Sequence, residues 1–359
     1  MPELVLRTLM TANANRIDEL QRRLDKIPRV LLGSLPTPLQ EAPRLADLLG
    51  VRRLFVKRDD LTGLGLGGNK VRTLEHTVAE AVASGADLLL GAAYVHSNHC
   101  RQLAAAGAKM GIEVRLLLRR SGDRPVSWQG NLLLDELFGA GIEFVEAADT
   151  FTLLELARGR VAEFEASGRR PMLLTLTPAS KLLGAIAAMR TLLEIEGQLR
   201  AAGEVRSSIY VSSGGPTYAG LLSAARLIGA DIQVRGISHQ FDTAIQVDIV
   251  TGLLAEIESL LRLAVPPVAP DIEIDDRFIG PGYGLSSAAA FDAIRIAGAL
   301  DGLVLDPIYT GKAMAGLLGH AREGRLTPDD VIAFHHTGGV PALFTCADQL
   351  RVGPSPTGV

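Results

Sequence analysis

Short apolar runs alternate with amphipathic segments along most of this chain, and that alternation limits its possible folds more than any other feature. ADLLLGAA is followed by RQLAAAGAKMG, EVRLLLR by QGNLLLDELFGAG, and EFVEA by FTLLELARGRVAEFEASG. A second series pairs PMLLTLT with ASKLLGAIAAMRTLLEIEGQL, SSIYVSSGG with TYAGLLSAARLIG, and DIQVRGISH with AIQVDIVTGLLAEIESLLRL. Strand-length apolar runs, each trailed by a helix-length periodic segment, predict parallel strands covered by helices, an α/β fold of mostly parallel sheets. A chain of 359 residues exceeds what one hydrophobic core supports, so two domains are expected. The proline-rich stretch AVPPVAPDIEIDD predicts a long surface loop between helix and strand, and the tail RVGPSPTGV a frayed end.

Charge narrows the partners. A net charge of −4 without a dense basic block argues against nucleic acid and against an anionic membrane surface, which leaves small polar metabolites. No window approaches the roughly 18 consecutive apolar residues of a membrane span. The start, MPELVLRTLMTANANRIDELQRRLDK, carries acidic residues and no apolar core, so no targeting peptide is expected. Two cysteines, Cys100 and Cys346, are too few for a disulfide framework and fit a reducing, cytoplasmic setting. His96, His99 and Cys100 stand close together, but no second cluster at ligand spacing accompanies them, so no metal is expected.

Candidate chemistry concentrates in GLGLGGNKVR, Gly63 to Arg72, which packs four glycines, an asparagine and a lysine between strand-like LFVKRDD and helical VRTLEHTVAEAVAS. Gly63, Gly65 and Gly68 match the GxGxxG dinucleotide pattern. However, Arg58-Asp59-Asp60-Leu61-Thr62 intervene where the first glycine should leave a buried strand, and the carboxylates would repel a diphosphate. The Walker pattern fails too, because Asn69 displaces the lysine by one position and Val71 replaces the magnesium-binding hydroxyl. The remaining reading makes Lys70 the chemical group, mounted at a helix start, with nearby helix amides and a second cation biasing it towards the neutral amine that attacks an aldehyde. By spacing alone, a solvated first-turn lysine is the commoner outcome.

KRDDLTGLGLGGNKVRTLE, followed a strand and a helix later by HSNHCRQLAAAGAKMG, resembles the pyridoxal-phosphate enzymes of fold type II. Within them it is similar to the branch holding D-cysteine desulfhydrase and 1-aminocyclopropane-1-carboxylate deaminase. The similarity runs from about LPTPLQEAPRLADLLG to HHTGGVPALF. The resemblance implies a two-domain, three-layer, open twisted and mostly parallel architecture of the tryptophan synthase β type. Residues 1–72 and 171–359 would form the larger body and 73–170 a smaller inserted α/β domain, with pyridoxal 5'-phosphate in the cleft between them. It further implies a homodimer and a small amino-acid substrate.

By the same resemblance Lys70 is the Schiff-base lysine that exchanges the α-proton, with Asn69 beside it. Asn98 would face the cofactor's phenolic oxygen, and Ser97 the substrate carboxylate or its proton. His99 is placed with the substrate. Alone, HSNHC also fits a loop-to-helix cap at Ser97 or Asn98. In SSIYVSSGGPTYAGLL, a strand, a glycine turn and a helix start suit a phosphate dianion, with Gly214, Gly215 and Thr217 as candidates. Pro216 stands where relatives usually have glycine and offers no amide hydrogen.

GPGYG with Tyr283, LDPIYTGKAMAGL with Tyr309 and FHHTGGVPALF with Thr337 extend the likeness. The tyrosines line the substrate side of the ring in relatives, as catalytic and substrate-binding groups. Thr310 stands where the cyclopropane-opening deaminase has glutamate, and Thr337 where it has leucine. A hydroxyl beside the pyridine nitrogen favours a neutral ring and departure of a β-substituent. The expectation is therefore β-elimination of the D-cysteine desulfhydrase kind, giving a keto acid and ammonia. A cyclopropane deaminase, an amino-acid racemase, a lyase for another β-substituted amino acid such as cysteate, and a non-catalytic binder on the same fold are the alternatives. His96, TPASK and LSSAAA depart from the family pattern on loops expected to face the substrate.

Overall fold

RLFVKR, RSSIYVSS and VIAFHH bury side chains on both faces, as strands in the middle of a covered sheet must. The computed structural model describes residues 3–120, 127–263 and 272–351, with side chains from residue 13 onward. Its strands are β1 (Leu39–Glu41), β2 (Arg53–Arg58), β3 (Leu88–Tyr94), β4 (Glu113–Arg119), β5 (Gly141–Val145), β6 (Pro171–Leu173), β7 (Arg206–Ser213), β8 (Asp231–Ser238), β9 (Glu273–Asp275) and β10 (Val331–His336). Around them lie α1 (Glu3–Leu24), α2 (Pro43–Leu49), α3 (Lys70–Ala83), α4 (Asn98–Met110), α5 (Gly130–Leu137) and α6 (Thr150–Ala166). The series continues with α7 (Pro178–Ala201), α8 (Pro216–Ile228), α9 (Thr243–Leu261), α10 (Ala288–Asp301) and α11 (Thr310–Arg322).

Two sheets result. The larger has the order β1-β2-β10-β7-β8-β9, parallel except for the antiparallel edge strand β1. The smaller has the order β5-β4-β3-β6 and is parallel throughout. Each is the middle layer of three, because successive side chains on a strand point to opposite faces. On β7, Ile209 and Val211 enter one core with Met189 and Leu192 of α7 and Leu221 of α8, while Tyr210 enters the other with Met314 and Leu317 of α11. On β3, Leu89 packs with Val71 and Leu74 of α3, and Leu88 and Leu90 pack with Leu153 of α6 on the opposite face. The α/β architecture read from the alternation is the one observed.

Details differ at two places. The expected boundary at 170/171 falls just before β6, which pairs with β3, so the smaller sheet extends to Leu173. In AVPPVAPDIEIDD, residues 264–271 lie outside the described residues, but Glu273–Asp275 is strand and not loop, pairing with β8 through Arg235↔Glu273. The neighbouring prolines conceal a period-two signal only three residues long. Of the tail, residues 352–359 lie outside the described residues. No helix among the described residues is long and apolar enough to cross a membrane, and no group of three or more His, Cys, Asp or Glu side chains among them is placed to hold a metal.

Candidate active site

Parallel strands deliver their following loops to one edge, and the chemistry-bearing residues sit there. Ser97, Asn98 and His99 follow β3; Gly214, Pro216 and Thr217 follow β7; His239 follows β8 and Thr337 follows β10. These residues, together with Asn69, Lys70, Tyr283 and Tyr309, line one cavity of about 250 Å³.

The glycine loop is built to present Lys70. Gly68 N–H donates to Asp59 O at 2.9 Å and to Thr62 Oγ1 at 2.8 Å. Gly67 has φ 68° and ψ 175°, and a Cβ there would lie 1.8 Å from Asp60 O, so only glycine fits. Asn69 N–H donates to Thr337 O at 2.9 Å, tying the loop to the end of β10. One turn further, Arg72 is held by Asp59 at 2.8 Å and Glu194 at 2.7 Å. Asp59 also accepts from Thr37 Oγ1 at 2.7 Å and meets His335 Nε2 at 2.9 Å. Burial would raise the Asp59 carboxyl, but Arg72 and His335 outweigh it and hold the group far below the usual carboxylate range.

Lys70 is the first residue of α3, half-buried, and its amine has no hydrogen bond or ion pair among the described residues. Burial lowers its pKa towards the neutral amine. The second cation expected from the sequence has no part in that shift; removal from water is the cause. His99 is neutral for the same reason, with burial first and Lys70 second lowering its pKa to about 3, and its buried Nε2 has no partner.

Ser97 does what the capping alternative required: its Oγ accepts from Cys100 N–H at 3.1 Å at the start of α4. A hydroxyl that accepts in this way still has its hydrogen to donate into the cavity. Capping and ligand contact are therefore compatible on one oxygen. Asn98 Oδ1 accepts from Asn131 Nδ2 at 2.9 Å, and Asn131 also donates to His96 O at 2.6 Å. With its oxygen engaged on the protein side, Asn98 has its NH₂ to offer. Asn69 Nδ2 donates to Thr217 Oγ1 at 3.2 Å, linking the lysine loop directly to the glycine turn after β7.

On the facing wall the hydroxyls of Tyr283 and Tyr309 are 2.8 Å apart. Burial pushes Tyr283 up to about 12, partly offset by the Tyr309 hydrogen bond, and burial raises Tyr309 well above the usual phenol value. Both remain phenols through neutral pH. Lys312, buried in α11, donates to Gly282 O at 3.0 Å and so holds the backbone beside Tyr283, with burial lowering its pKa to about 8. The ring of His239 lies 4.8 Å from that of Tyr309, and its Nδ1 is 3.0 Å from Ser212 Oγ. Burial, then Lys312 and Lys70, lowers its pKa to about 3.

Lys312, His239 and Asn131 were not singled out from the sequence. His239 carried a usable signal, since it stands one residue beyond a parallel strand, at the edge where ligands gather. Conversely, Thr310 does not line the cavity. Its hydroxyl donates to Asp306 Oδ2 at 2.7 Å and accepts from Asp306 N–H at 2.8 Å, because Asp306 organises the turn into α11. Gly215 is also absent from the wall, its Cα facing Ile249 and Leu253. His96 lines a separate cavity of about 230 Å³ with Arg120 and Asn131, against the far side of the Tyr283 ring at 5.3 Å.

The donor set fits a phosphorylated aldehyde. An unpartnered amine, an amide NH₂, a helix start and the orphaned His99 Nε2 share a wall that carries no carboxylate among the described residues. Such a wall defines an amine-anchored, anion-accepting site on an α/β frame. The profile of the family described as pyridoxal-phosphate dependent enzyme matches residues 30–338, and the chain belongs to that family. D-cysteine desulfhydrase of Salmonella newport (strain SL254) is 38% identical over 325 residues, covering 89% of this chain and 97% of the relative. A crystal structure of an ACC deaminase homologue superposes with a TM-score of 0.83 at 34% identity, covering 93% of this chain and 98% of that one. Escherichia coli diaminopropionate ammonia lyase gives a TM-score of 0.64 at 15% identity over 96% and 93% of the two chains, a likeness of fold alone. The fold is pyridoxal-phosphate fold type II, and the cofactor is pyridoxal phosphate.

Proposed function

We propose that this chain catalyses β-elimination on a small amino acid of the D-cysteine kind, releasing the β-substituent, a keto acid and ammonia. One observation carries the reading: an unpartnered, half-buried Lys70 amine shares a carboxylate-free cavity with a hydrogen-bonded tyrosine pair, in a chain 38% identical to a D-cysteine desulfhydrase. Bound there, pyridoxal phosphate supplies an electron sink that makes the substrate Cα–H acidic. Lys70 would hold the cofactor by its aldehyde carbon, and its Nζ would receive the proton from the substrate Cα. Its depressed pKa keeps the free amine available as base.

Asn98 and Asn69 would orient the ring, Gly214 and Thr217 would receive the phosphate, and Thr337 would meet the ring's far edge. Ser97 donates its free hydroxyl hydrogen to the substrate carboxylate, with His99 beside it. The Tyr283 and Tyr309 pair supplies a proton to the departing β-substituent, which for cysteine leaves as sulfide as the Cβ–S bond breaks, and water completes the release of pyruvate and ammonia. The wall excludes carboxylates and so favours anionic substrates. Thr310 acts indirectly, by fixing Asp306 and the turn that carries Tyr309. The proposal includes a homodimer in the cytoplasm and an inserted smaller unit, and the pairing of β6 with β3 supports carrying that unit on to Leu173.

The likeness to an ACC deaminase homologue favours a second reading, ring-opening deamination of a cyclopropane amino acid. Both enantiomers of cysteine, β-chloroalanine, cysteate and 1-aminocyclopropane-1-carboxylate separate the two. Sulfide with pyruvate from cysteine is expected. Ketobutyrate from the cyclopropane substrate, with no β-substituent released from the others, overturns the proposal in favour of the second reading.

A further inference from the structure

The phosphate end of the cavity is one donor short, and the structure supplies a cation beside it. Pro216 occupies the first position of α8, where an amide hydrogen would otherwise meet the anion. Thr217 Oγ1 already accepts from Asn69. No carboxylate lines the cavity among the described residues, and its two lysines are Lys70 and Lys181. Lys70 is committed to the aldehyde end, leaving Lys181 as the one ammonium available to an anion elsewhere on that wall.

Lys181 lies in the first turn of α7, which Thr177 caps by accepting from Ser180 N–H at 3.1 Å. Residues three and four apart share a helix face, so Lys181, Ser180 and Gly184 project together. That face meets the phosphate turn: a Cβ built on Gly184 would lie 3.5 Å from Pro216 Cβ and 3.5 Å from Thr73 Oγ1. The glycine lets α7 approach closely enough for its first turn to border the turn after β7. The Lys181 side chain is exposed and forms no ion pair or side-chain hydrogen bond among the described residues. It is thus free to swing onto a dianion at the cavity mouth.

We propose that Lys181 is a cofactor-phosphate residue, contributing an ammonium where Pro216 withholds an amide. It makes the phosphate site a composite of two helix starts, α7 and α8, rather than one. The inference rests on the cofactor lying between Lys70 and the turn after β7. Being at the exposed rim, the contact has a modest, salt-sensitive effect.

The test is equilibrium titration of the cofactor-freed protein with pyridoxal phosphate and, separately, with unphosphorylated pyridoxal, at low and high salt. K181M should weaken pyridoxal phosphate about threefold to fivefold at low salt. The deficit should shrink at high salt, pyridoxal affinity should be unchanged, and K181R should restore most of the loss. P216G, which returns an amide, should reduce the penalty of K181M. Equal weakening of both ligands, or no weakening of either, overturns the proposal. So does an effect confined to KM for anionic substrates, which would place Lys181 on the substrate instead. The underlying reading fails separately: wild-type uptake that K70A leaves unaltered would sink it, whereas Lys70-dependent uptake indifferent to K181M sinks only the assignment of Lys181.

Discussion

The Tyr283 and Tyr309 hydroxyls form a 2.8 Å hydrogen bond across the cavity wall, so that one phenol donates to the other and the second has its own hydrogen to give. Breaking this relay at either ring should cost turnover more than binding. Y283F and Y309F are each expected to lower kcat about 100-fold, with KM changed far less. Because burial keeps Tyr283 protonated up to about 12, the limbs of the pH–rate profile below that value should persist in Y283F. Loss of an alkaline limb in that variant would contradict the protonated-donor role.

Asn131 fixes Asn98 by donating to its Oδ1 at 2.9 Å. Without that bond the Asn98 amide is free to turn its oxygen towards the cofactor, where an acceptor repels a phenolate. N131L should therefore raise the Kd for pyridoxal phosphate about tenfold, the scale of one net hydrogen bond, and shift the cofactor's absorbance maximum. Unchanged affinity and spectrum would mean that Asn98 needs no such support.

Gly67 and Gly50 both have positive φ, 68° and 67°, but their surroundings differ. A Cβ at Gly67 would sit 1.8 Å from Asp60 O, whereas nothing lies within 4 Å of one at Gly50. G50A should cost about 1 kcal/mol from backbone strain alone. G67A carries at least about 3 kcal/mol, because it adds a backbone clash to a conformation almost confined to glycine. Urea denaturation of both variants measures the gap, and cofactor uptake should fail only in G67A.

Asp59 is the fully buried partner of Arg72 and His335. D59N leaves the buried guanidinium with Glu194 as its one carboxylate partner among the described residues and should destabilise by about 3 kcal/mol at pH 7. The carboxyl is depressed in the folded protein, so its contribution is complete above its unfolded value near 4 and is lost as pH falls below that. The acid limb of stability against pH should therefore flatten in D59N. An acid limb of wild-type steepness would show that other carboxylates control it.

Much of this was legible in the chain because it is periodic or local. The strand and helix order follows from alternation, and the lysine mount from GGNK between a strand and a helix. What escaped depends on which strands lie side by side. Lys312 and Asn131 acquire meaning only when α11 and α5 converge on the site, and nothing in their own segments announces it; His239 is marked only by its place just beyond β8. Thr310 is the opposite case: Asp306 stands four residues before it, and its carboxylate accepts from Ile308, Tyr309 and Thr310 N–H, which removes the threonine from the cavity by a purely local turn. The cause of the lysine's lowered pKa was likewise burial, a property of the assembled fold, and not a neighbouring charge.

β10 lies between β2 and β7 in the sheet, and its end fastens the lysine loop through Thr337 O and Asp59 through His335, a contact spanning 276 residues of sequence. The support for the reactive amine is thus synthesised long after the amine itself. A nascent chain holding Lys70 but lacking β10 has neither its central strand nor the clamp on residue 69, and contacts of such long range are slow to form. Vitamin capture is consequently deferred until β10 has been made, and chains cut short ahead of it should emerge as colourless, incompetent fragments.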